Sequence, residues 1–495
     1  MKHVFYFLSF IFCIHFCLAQ EGNQRLMLKK QSFKSDSGKK IEAYVGKLKV
    51  LENRNKENSE EIDIHFIQLK STNPNPKAPV IYLAGGPGGS STWQAKDPYS
   101  LENWLPYLAL GDVILLDQRG TGRGTERVLY IWKNDIPQDV LVSEEKAKEY
   151  FDEVNRNALI DFARRKVDLE GYTTIENAKD IDELRKALKY DKVSLLGFSY
   201  GTHLGQAYIK YFKKQIENAV LIGVEGSDHT FKLPSTMDTQ FYKIAMLSNQ
   251  DQNVNIEVPD LVELYKRVVR KIEKEPITLE VISPLTNSPM KVDIGPFGLN
   301  LILRLDIGDR SDLPVFPRLL YTIDQGDYSI LKWFVQKRIR LLFGVQGMSV
   351  TMDKASGASA NRLQRIAEEK KKSIFKNIVN VSLDSNWPAP DLGSEFRSPL
   401  ISNTRTLFMS GTLDFNTPPH QAEEVRWGFS NSSHIIIDNA GHEQILTHPE
   451  AGSAIIRFLK GENVDDVALS YPKLKFIPVV GDTGKLSHPS MQKKK

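Results

Sequence analysis

Short apolar runs recur along the chain, and each one ends in a turn of small or polar residues. The clearest of these runs span residues 79–83, 112–116, 193–196, 219–224 and 406–409. Such runs, bounded by turns, are typical of strands that are buried on both faces of a parallel sheet. Longer segments with helical periodicity separate several of them, notably residues 143–169 and 173–188. This alternation predicts an α/β fold with a mostly parallel central sheet.

The pattern changes before the first of these runs and again in the middle of the chain. Residues 41–51 and 62–69 predict two antiparallel strands, which a charged turn connects. Between residues 226 and 403 the alternation of strand and helix stops. Long amphipathic helices fit that region better, and they are predicted at residues 260–274, 330–342 and 360–378.

The predicted organisation follows from these changes. It comprises a core in two parts, residues 20–225 and 404–460, a large helical cap insertion at 226–403, and a C-terminal tail at 461–495. The core would close without the insertion, so we expect the insertion to cover one end of the sheet, where a cap excludes water and selects substrates. The tail is irregular and is expected to lie on the surface.

The most informative motif is the pentapeptide GFSYG at residues 197–201, which is centred on Ser199. It lies between a predicted strand and a predicted helix, which is the context of a nucleophile elbow. In such an elbow the sharp turn exposes the serine hydroxyl at the end of the strand. A glycine two residues to either side allows the neighbouring backbone to pass closely.

Two further polar residues follow predicted strands downstream. Asp414 lies just past the run at 406–409, and His442 follows the apolar run at 434–438. The order serine, acid, histidine is the order of an α/β-hydrolase triad. In that arrangement Ser199 would attack a carbonyl carbon, and His442 would take its proton and later return it to the leaving group. Asp414 would hold the imidazole tautomer and stabilise the imidazolium.

Each of these residues also has a simpler interpretation. Ser199 could be an ordinary turn residue, Asp414 could cap a turn or a helix, and His442 could lie on a surface loop. Other histidines compete for the role of the base, namely His420, His434 and His448. Unlike these three histidines, His442 follows a strand through a turn of small residues, which favours it as the general base.

A glycine-rich loop upstream provides a candidate site for the electrophile. The segment GGPGG at residues 85–89 follows the first apolar run of the predicted parallel sheet. Acyl transfer requires two backbone N–H groups directed at the developing oxyanion. We expect these from Gly86 and from Tyr200, the residue after the nucleophile. The loop lacks the Gly-Lys-Ser/Thr sequence of a phosphate-binding loop, so a nucleotide site is not expected.

Taken together, the motifs resemble the proline iminopeptidase and tripeptidyl aminopeptidase family of serine peptidases. The resemblance rests on GGPGG at 85–89, DQRGTG at 117–122, GFSYG at 197–201 and the segments at 414–418 and 441–442. It implies an α/β-hydrolase core with a helical cap, and an activity that removes N-terminal residues from peptides.

The same resemblance implies roles for individual residues. The implied triad is Ser199, Asp414 and His442, and the implied oxyanion donors are Gly86 and Tyr200. The sequence departs from the family pattern at Ala84, where many relatives have a histidine. That histidine is not catalytic in the family, so the departure affects the subtype and leaves the expected chemistry intact.

The N-terminus predicts a secretory signal at residues 1–19. Lys2 precedes an almost wholly apolar stretch, and small residues near Ala19 fit a cleavage site. The apolar stretch is short for a membrane span, so no stable span is expected after cleavage, and we expect a secreted or periplasmic protein. A lipoprotein with Cys17 as the lipidated residue is a less favoured alternative.

Composition limits the possible cofactors and partners. Both cysteines, Cys13 and Cys17, lie in the predicted signal, so the mature chain would form no disulfide and no thiolate metal site. No metal or other cofactor is predicted. The formal net charge is +4 over 495 residues, which argues against nucleic acid as a main partner.

The substrate prediction depends on an anchor for a peptide's free ammonium group. Glu225 follows the predicted strand at 219–224 and is one candidate, and acids of the cap are equally eligible. The first hypothesis is therefore a serine aminopeptidase that acts on short peptides with a free N-terminus. The alternatives are a carboxylic ester hydrolase with the same triad, which needs no such anchor, and a catalytically silent binding protein.

Overall fold

The computed structural model describes residues 25–381 and 386–481. The predicted signal at residues 1–19 lies outside the described residues, and secretion stays a prediction. Within the described ranges, no helix is long and apolar enough to cross a membrane.

A nine-stranded sheet runs through the described part of the chain, in the order β1-β2-β3-β5-β4-β7-β8-β12-β13. Two small sheets, β9 with β10 and β6 with β11, lie apart from it. The strands are β1 (Leu26–Lys34), β2 (Lys40–Leu51), β3 (Glu61–Leu69), β4 (Lys77–Leu83), β5 (Gly111–Leu116), β6 (Leu129–Ile131), β7 (Val193–Phe198), β8 (Ile216–Ile222), β9 (Ile277–Ile282), β10 (Pro289–Ile294), β11 (Gly344–Gln346), β12 (Arg405–Gly411) and β13 (Ser432–Ile437).

Helices cover both faces of the large sheet and form most of the insertion. They are α1 (Pro98–Glu102), α2 (Leu105–Leu108), α3 (Thr125–Val128), α4 (Glu144–Arg164), α5 (Thr174–Ala187), α6 (Tyr200–Phe212), α7 (Pro234–Asn249), α8 (Leu261–Lys274), α9 (Pro296–Asp306), α10 (Phe316–Asp324), α11 (Ser329–Arg338), α12 (Gly347–Ser356), α13 (Ala360–Lys370), α14 (Gly393–Arg397), α15 (Pro419–Arg426), α16 (His442–Thr447) and α17 (Ala451–Lys460).

The apolar runs form the central strands because their side chains are buried on both faces of the sheet. Along β4, Val80 and Tyr82 pack into one hydrophobic cluster, whereas Ile81 and Leu83 pack into another on the opposite face. Successive side chains of a strand point to opposite faces, so a continuous apolar run fills both layers. The strands β4, β5, β7, β8, β12 and β13 pair in parallel, as predicted.

The antiparallel end of the sheet is larger than predicted. The pairing of β2 with β3 is confirmed, and β1 adds a further antiparallel strand at the edge. The sequence reasoning missed β1 because most of its side chains are exposed, so it lacks an apolar run. Its structure depends on backbone pairing with β2 rather than on burial.

The insertion has its own large apolar cluster, but it is not wholly helical. The strands β9 and β10 form an antiparallel hairpin within it, which the sequence analysis did not predict. The helix predicted at 360–378 is too long, since α13 ends at Lys370, and α11 continues beyond Arg338 only as a short 3-10 turn. In contrast, α8 matches its prediction and is capped by Asp260.

Several segments outside the insertion also contribute to its apolar cluster. Tyr150 of α4 is buried there, although it belongs to the first part of the predicted core. Leu474, Phe476 and Val479 of the C-terminal tail are buried in the same cluster. The expectation that the tail lies on the surface is therefore wrong for these residues, whose apolar side chains complete the packing. The predicted domain boundaries stay a prediction.

The turn after β5 holds a fully buried arginine. Arg119 is 0% exposed, and its guanidinium forms two hydrogen bonds of 2.7 Å to the carboxylate of Asp180 on α5. It also donates to the carbonyls of Glu52 and Gly171. A buried ion pair of this kind is costly to disrupt, because the remaining charge stays buried without its partner.

We expect Arg119→Met to lower the free energy of unfolding by about 3 kcal/mol, because it leaves the Asp180 carboxylate and two carbonyls short of a donor. Arg54→Met is the matched control, since Arg54 pairs with the same carboxylate from a more exposed position, and it is expected to cost less. Urea unfolding of the two variants measures the difference. An Arg119→Met protein as stable as the wild type would contradict this account.

Candidate active site

Five predicted site residues lie at one edge of the large sheet. The strands β4, β7, β8, β12 and β13 are parallel neighbours, so their carboxyl ends meet at the same edge. The residues that follow these strands are, in the same order, Gly86, Ser199, Glu225, Asp414 and His442. In open α/β sheets this edge is where ligands bind.

Ser199 occupies a strained turn between β7 and α6. Its backbone has φ 54° and ψ −123°, which is unusual for a residue with a side chain. The flanking glycines are required by packing, since a Cβ on Gly201 would lie 2.0 Å from the carbonyl oxygen of Leu83. A Cβ on Gly197 would lie 2.5 Å from the carbonyl oxygen of Gly201. This is the geometry of a nucleophile elbow.

His442 and Asp414 form a buried pair. The Nδ1 atom of His442 lies 2.8 Å from Oδ2 of Asp414, which is only 1% exposed. Thr417 donates its hydroxyl to the same Oδ2 at 2.6 Å, and the backbone N–H groups of Asn416 and Thr417 donate to Oδ1. The carboxylate is thus held in place and fixes the Nδ1–H tautomer of the imidazole, which leaves Nε2 able to accept a proton.

The pairing raises the pKa of His442 and lowers that of Asp414, which suits His442 to the role of general base. Burial lowers the pKa of His442, but the facing Asp414 carboxylate outweighs this effect, and the net shift is upward. Burial raises the pKa of Asp414, but the charge of His442 and the hydrogen bonds from His442 and Thr417 bring it below its ordinary value. The carboxylate is therefore ionised under the conditions in which the imidazole titrates.

Ser199 and His442 line the same cavity, which has a volume of about 460 Å³. Their side chains are not hydrogen-bonded to each other, although the ring of the preceding Phe198 lies 4.9 Å from the imidazole. Catalytic hydrogen bonds commonly tighten only when substrate binds. The arrangement can support transfer of the serine proton to His442.

The glycine loop after β4 lies against the serine. A Cβ on Gly85 would be 2.9 Å from the Cβ of Ser199, and Gly86 has φ +125° and lines the cavity. Among the described residues, the backbone N–H groups of Gly86 and Tyr200 have no hydrogen-bond partner. Both groups are therefore available to an oxyanion. The side chain of Tyr200 is buried in the core and contributes nothing to the cavity.

Residues of the turn after β5 hold this loop in position. Asp117 accepts hydrogen bonds from the backbone N–H groups of Ser91 and Thr92 and from the hydroxyls of Ser90 and Thr92. Gln118 donates to the carbonyl of Ala84 at 2.8 Å. Part of the DQRGTG motif at residues 117–122 thus positions the glycine loop.

Glu225 also lines the cavity, where it forms part of a group of charged residues. It is 7% exposed, and its Oε2 lies 3.5 Å from Nζ of Lys232. Burial raises the pKa of Glu225, but the nearby ammonium of Lys232 outweighs this and the net shift is downward. Asp353 of α12 lines the same cavity, and burial together with the charge of Glu225 raises its pKa well above the ordinary value.

Sequence reasoning named Glu225 but missed the cap residues that reach the cavity. The charged residues among them are Lys232, Arg304 and Asp353, and Thr230 and Val379 also line the cavity. Each lies in a segment without a recognisable motif, so only the general expectation that cap acids are eligible anchors pointed to Asp353. Their proximity depends on how the insertion folds over the sheet edge.

The competing histidines have other partners. His434 contacts the Glu423 carboxylate through Nδ1, and its Nε2 lies 3.0 Å from the hydroxyl of Ser410. Although this resembles a second triad, Ser410 is fully buried within β12 and no substrate could reach it. His448 contacts the backbone of Glu450 and Ser470. Neither histidine lines the cavity of Ser199.

The described residues include no group of three or more histidine, cysteine, aspartate or glutamate side chains that could hold a metal ion.

Two family models match the chain. The model of the alpha/beta hydrolase fold matches residues 78–269, and the model of TAP-like proteins matches residues 374–468. The first match contains Ser199 and the second contains Asp414 and His442. The chain has the α/β-hydrolase fold, and its predicted fold class and its resemblance to the tripeptidyl aminopeptidase and proline iminopeptidase proteins are confirmed.

Curated relatives carry peptidase names. The chain is 28% identical to the tripeptidyl aminopeptidase of Streptomyces lividans over 190 residues, which are 36% of this chain and 32% of that protein. It is 23% identical to the proline iminopeptidase of Arabidopsis thaliana over 230 residues, which are 43% of this chain and 48% of that one. The serine protease Hip1 of Mycobacterium tuberculosis is 44% identical over 50 residues, 10% of each chain. The matches span at most about half the length of these three relatives.

The chain is also similar to solved structures, at lower sequence identity. A thermophilic esterase from Thermogutta terrifontis has a TM-score of 0.37 at 14% identity, covering 84% of this chain and 98% of that one. The protein Rv0554 from Mycobacterium tuberculosis has a TM-score of 0.39 at 14% identity, covering 84% and 99%.

We expect Ser199→Ala to abolish labelling by a serine-directed fluorophosphonate, because the elbow exposes this hydroxyl beside His442.

His442→Ala should remain folded and lose turnover by about a thousandfold or more, since triad members act as a unit. His420→Ala is the control, because that histidine is exposed and lies outside the cavity. Labelling that persists in Ser199→Ala, or activity that depends on His420 instead of His442, would show that the site is wrongly assigned.

The raised pKa of His442 predicts the acid side of the pH profile. His442 must be neutral to accept a proton, so kcat/KM should fall as pH drops through its pKa, with a midpoint above about 6.5, the usual value for histidine. In Asp414→Asn the residual activity should show a lower midpoint, because burial then acts on the imidazole without the carboxylate. Steady-state kinetics across this range measures both midpoints, and an unchanged midpoint in Asp414→Asn would contradict the assignment.

Proposed function

We propose that this protein is a serine aminopeptidase, secreted or periplasmic, that releases N-terminal residues from short peptides through an acyl-enzyme. The observation that carries the proposal is the joint lining of one cavity by the elbow serine, by His442 and by the carboxyl groups of Glu225 and Asp353. Ser199 and His442 supply the hydrolytic chemistry. The carboxyl groups supply an anchor for a substrate ammonium group, which distinguishes a free N-terminus from a blocked one.

The acylation step uses residues at three strand ends, those of β4, β7 and β13. The hydroxyl oxygen of Ser199 bonds to the carbonyl carbon of the scissile peptide as its proton passes to Nε2 of His442. The carbonyl π bond becomes an oxyanion, which the N–H groups of Gly86 and Tyr200 stabilise. His442 then protonates the leaving nitrogen, the C–N bond breaks, and the N-terminal fragment stays esterified to Ser199.

Deacylation repeats the sequence with water. His442 accepts a proton from a water molecule, whose oxygen attacks the ester carbonyl carbon, and the oxyanion again lies at Gly86 and Tyr200. Collapse breaks the bond to Ser199, whose oxygen recovers the proton from His442. The Asp414 carboxylate stabilises the imidazolium in both halves and itself stays ionised.

The ammonium anchor follows from the charges in the cavity. Lys232 balances the charge of Glu225, and the raised pKa of Asp353 favours its protonated form. A substrate ammonium placed beside these two carboxyl groups would favour ionisation of Asp353, which supplies the charge needed to pair with it. An N-acylated peptide brings no positive charge and leaves the carboxyl groups without that partner.

We expect the wild type to hydrolyse a peptide anilide with a free N-terminus roughly 100-fold faster, in kcat/KM, than its N-acetylated twin, because the twin forfeits a buried charge pair. Glu225→Gln and Asp353→Asn should each reduce that ratio, mainly by slowing the free peptide. Continuous release of the aniline chromophore measures each rate.

The matched control is Glu217→Gln, which removes an exposed carboxylate from the same strand as the turn that carries Glu225. It should leave the ratio unchanged. Equal rates on the two anilides in the wild type would reject the aminopeptidase and favour a carboxylic ester hydrolase, which a simple ester substrate then identifies.

A further inference from the structure

A second cation lines the cavity of Ser199, on the side formed by the insertion. Arg304 lies near the end of α9, and its guanidinium carbon is 4.9 Å from the ring centroid of Phe415, the residue after Asp414. The side chain is partly exposed, and it lines the same cavity as Ser199 and His442. The guanidinium is therefore held beside the proposed catalytic pair.

Arg304 differs from Lys232 in its partners. Lys232 pairs with Glu225, whereas no carboxylate among residues 25–381 and 386–481 forms an ion pair or a hydrogen bond with Arg304. Burial lowers its pKa to about 10, with no nearby anion to oppose the effect. A half-buried cation without an anionic partner is only partly solvated, so a ligand that supplies the anion would bind favourably at this point.

A second, largely apolar cavity adjoins the first at Arg304. It has a volume of about 270 Å³ and shares Arg304 and Val379 with the cavity of Ser199. Its lining includes aliphatic side chains such as Leu301, Ile302 and Leu341. An apolar wall on this side lowers the local dielectric, which strengthens the attraction between the guanidinium and an anion in the cavity.

We propose that Arg304 is a specificity residue that binds a carboxylate of the peptide substrate. The carboxylate is either the C-terminal group of a short peptide or an acidic side chain close to the scissile bond. A guanidinium forms two parallel hydrogen bonds with a carboxylate, and this fixes orientation as well as charge. Glu225 and Asp353 would hold the ammonium of the same molecule, so the cavity would favour peptides that carry both charges. This inference rests on the proposed aminopeptidase activity.

The experiment uses the full-length protein and peptides of increasing length, all with a free N-terminus. Each peptide is prepared with a C-terminal carboxylate and with a C-terminal amide. A further pair of amidated peptides carries glutamate or glutamine beside the scissile bond. Chromatography of the products gives kcat/KM for the wild type, Arg304→Met and Arg304→Lys. The matched control is Arg340→Met, which removes the same charge from an exposed position in the insertion.

We expect the wild type to prefer one kind of carboxylate-bearing peptide over its neutral twin by about tenfold or more. A preference for the acid over the amide identifies the C-terminal group, and a preference for glutamate over glutamine identifies the side chain. Arg304→Met should lose the preference and still hydrolyse the neutral peptides, Arg304→Lys should retain part of it, and Arg340→Met should behave as the wild type. Arg304→Met should unfold at the wild-type temperature or above, because it removes a half-buried charge that has no anionic partner.

Equal rates on every pair in the wild type would overturn the role of Arg304, as would a preference that survives in Arg304→Met. Either result leaves the aminopeptidase proposal intact, because peptides are still cleaved. Failure to cleave any free peptide, together with hydrolysis of a simple ester, would reject both proposals.

Discussion

The site depends on one constraint, the parallel pairing of five neighbouring strands. Because parallel strands all end at the same edge of a sheet, the turns after β4, β7, β8, β12 and β13 must come together there. These turns bring backbone N–H groups, a hydroxyl, carboxylates and an imidazole to that edge. Residues that are more than 200 positions apart in the chain, such as Ser199 and His442, thereby line one cavity. The strained backbone of Ser199 and the glycines around it are local adaptations to this crowded edge.

The insertion changes the electrostatics of that edge. Its residues enclose the cavity, so charges there interact more strongly than they would in water. The consequences differ from residue to residue. Opposite charges outweigh the effect of burial on the pKa of His442 and of Glu225, whereas the charge of Lys232 does not offset the upward shift that burial and Glu225 cause in the pKa of Asp353. A cavity that combines ionised and neutral carboxyl groups with two cations is suited to a substrate that is itself charged.

How well the sequence predicted each part depends on the range of the interactions involved. The central strands were predicted correctly because burial on both faces demands continuous apolar runs. The sharp turn at Ser199 was predicted because such a turn requires glycines at fixed positions. The edge strand β1 and the hairpin of β9 and β10 were missed, since backbone pairing stabilises them without a distinctive pattern. The helix at 360–378 was predicted too long, because its polar C-terminal half carried no clear stop signal. The sequence could not rank Glu225 against the acids of the cap as the anchor for a substrate ammonium group.

The sequence by itself determined the fold class, the elbow around Ser199 and the positions of Asp414 and His442 after their strands. These follow from local rules, since strand burial, tight turns and the order of residues along the chain leave a direct trace in the amino acids. Only the tertiary structure decided that Asp353 and Arg304 share a cavity with Ser199, that Lys232 pairs with Glu225, and that the C-terminal tail completes the core of the insertion. These contacts join segments that are distant in the chain and depend on how the insertion packs over the sheet, which no short pattern encodes.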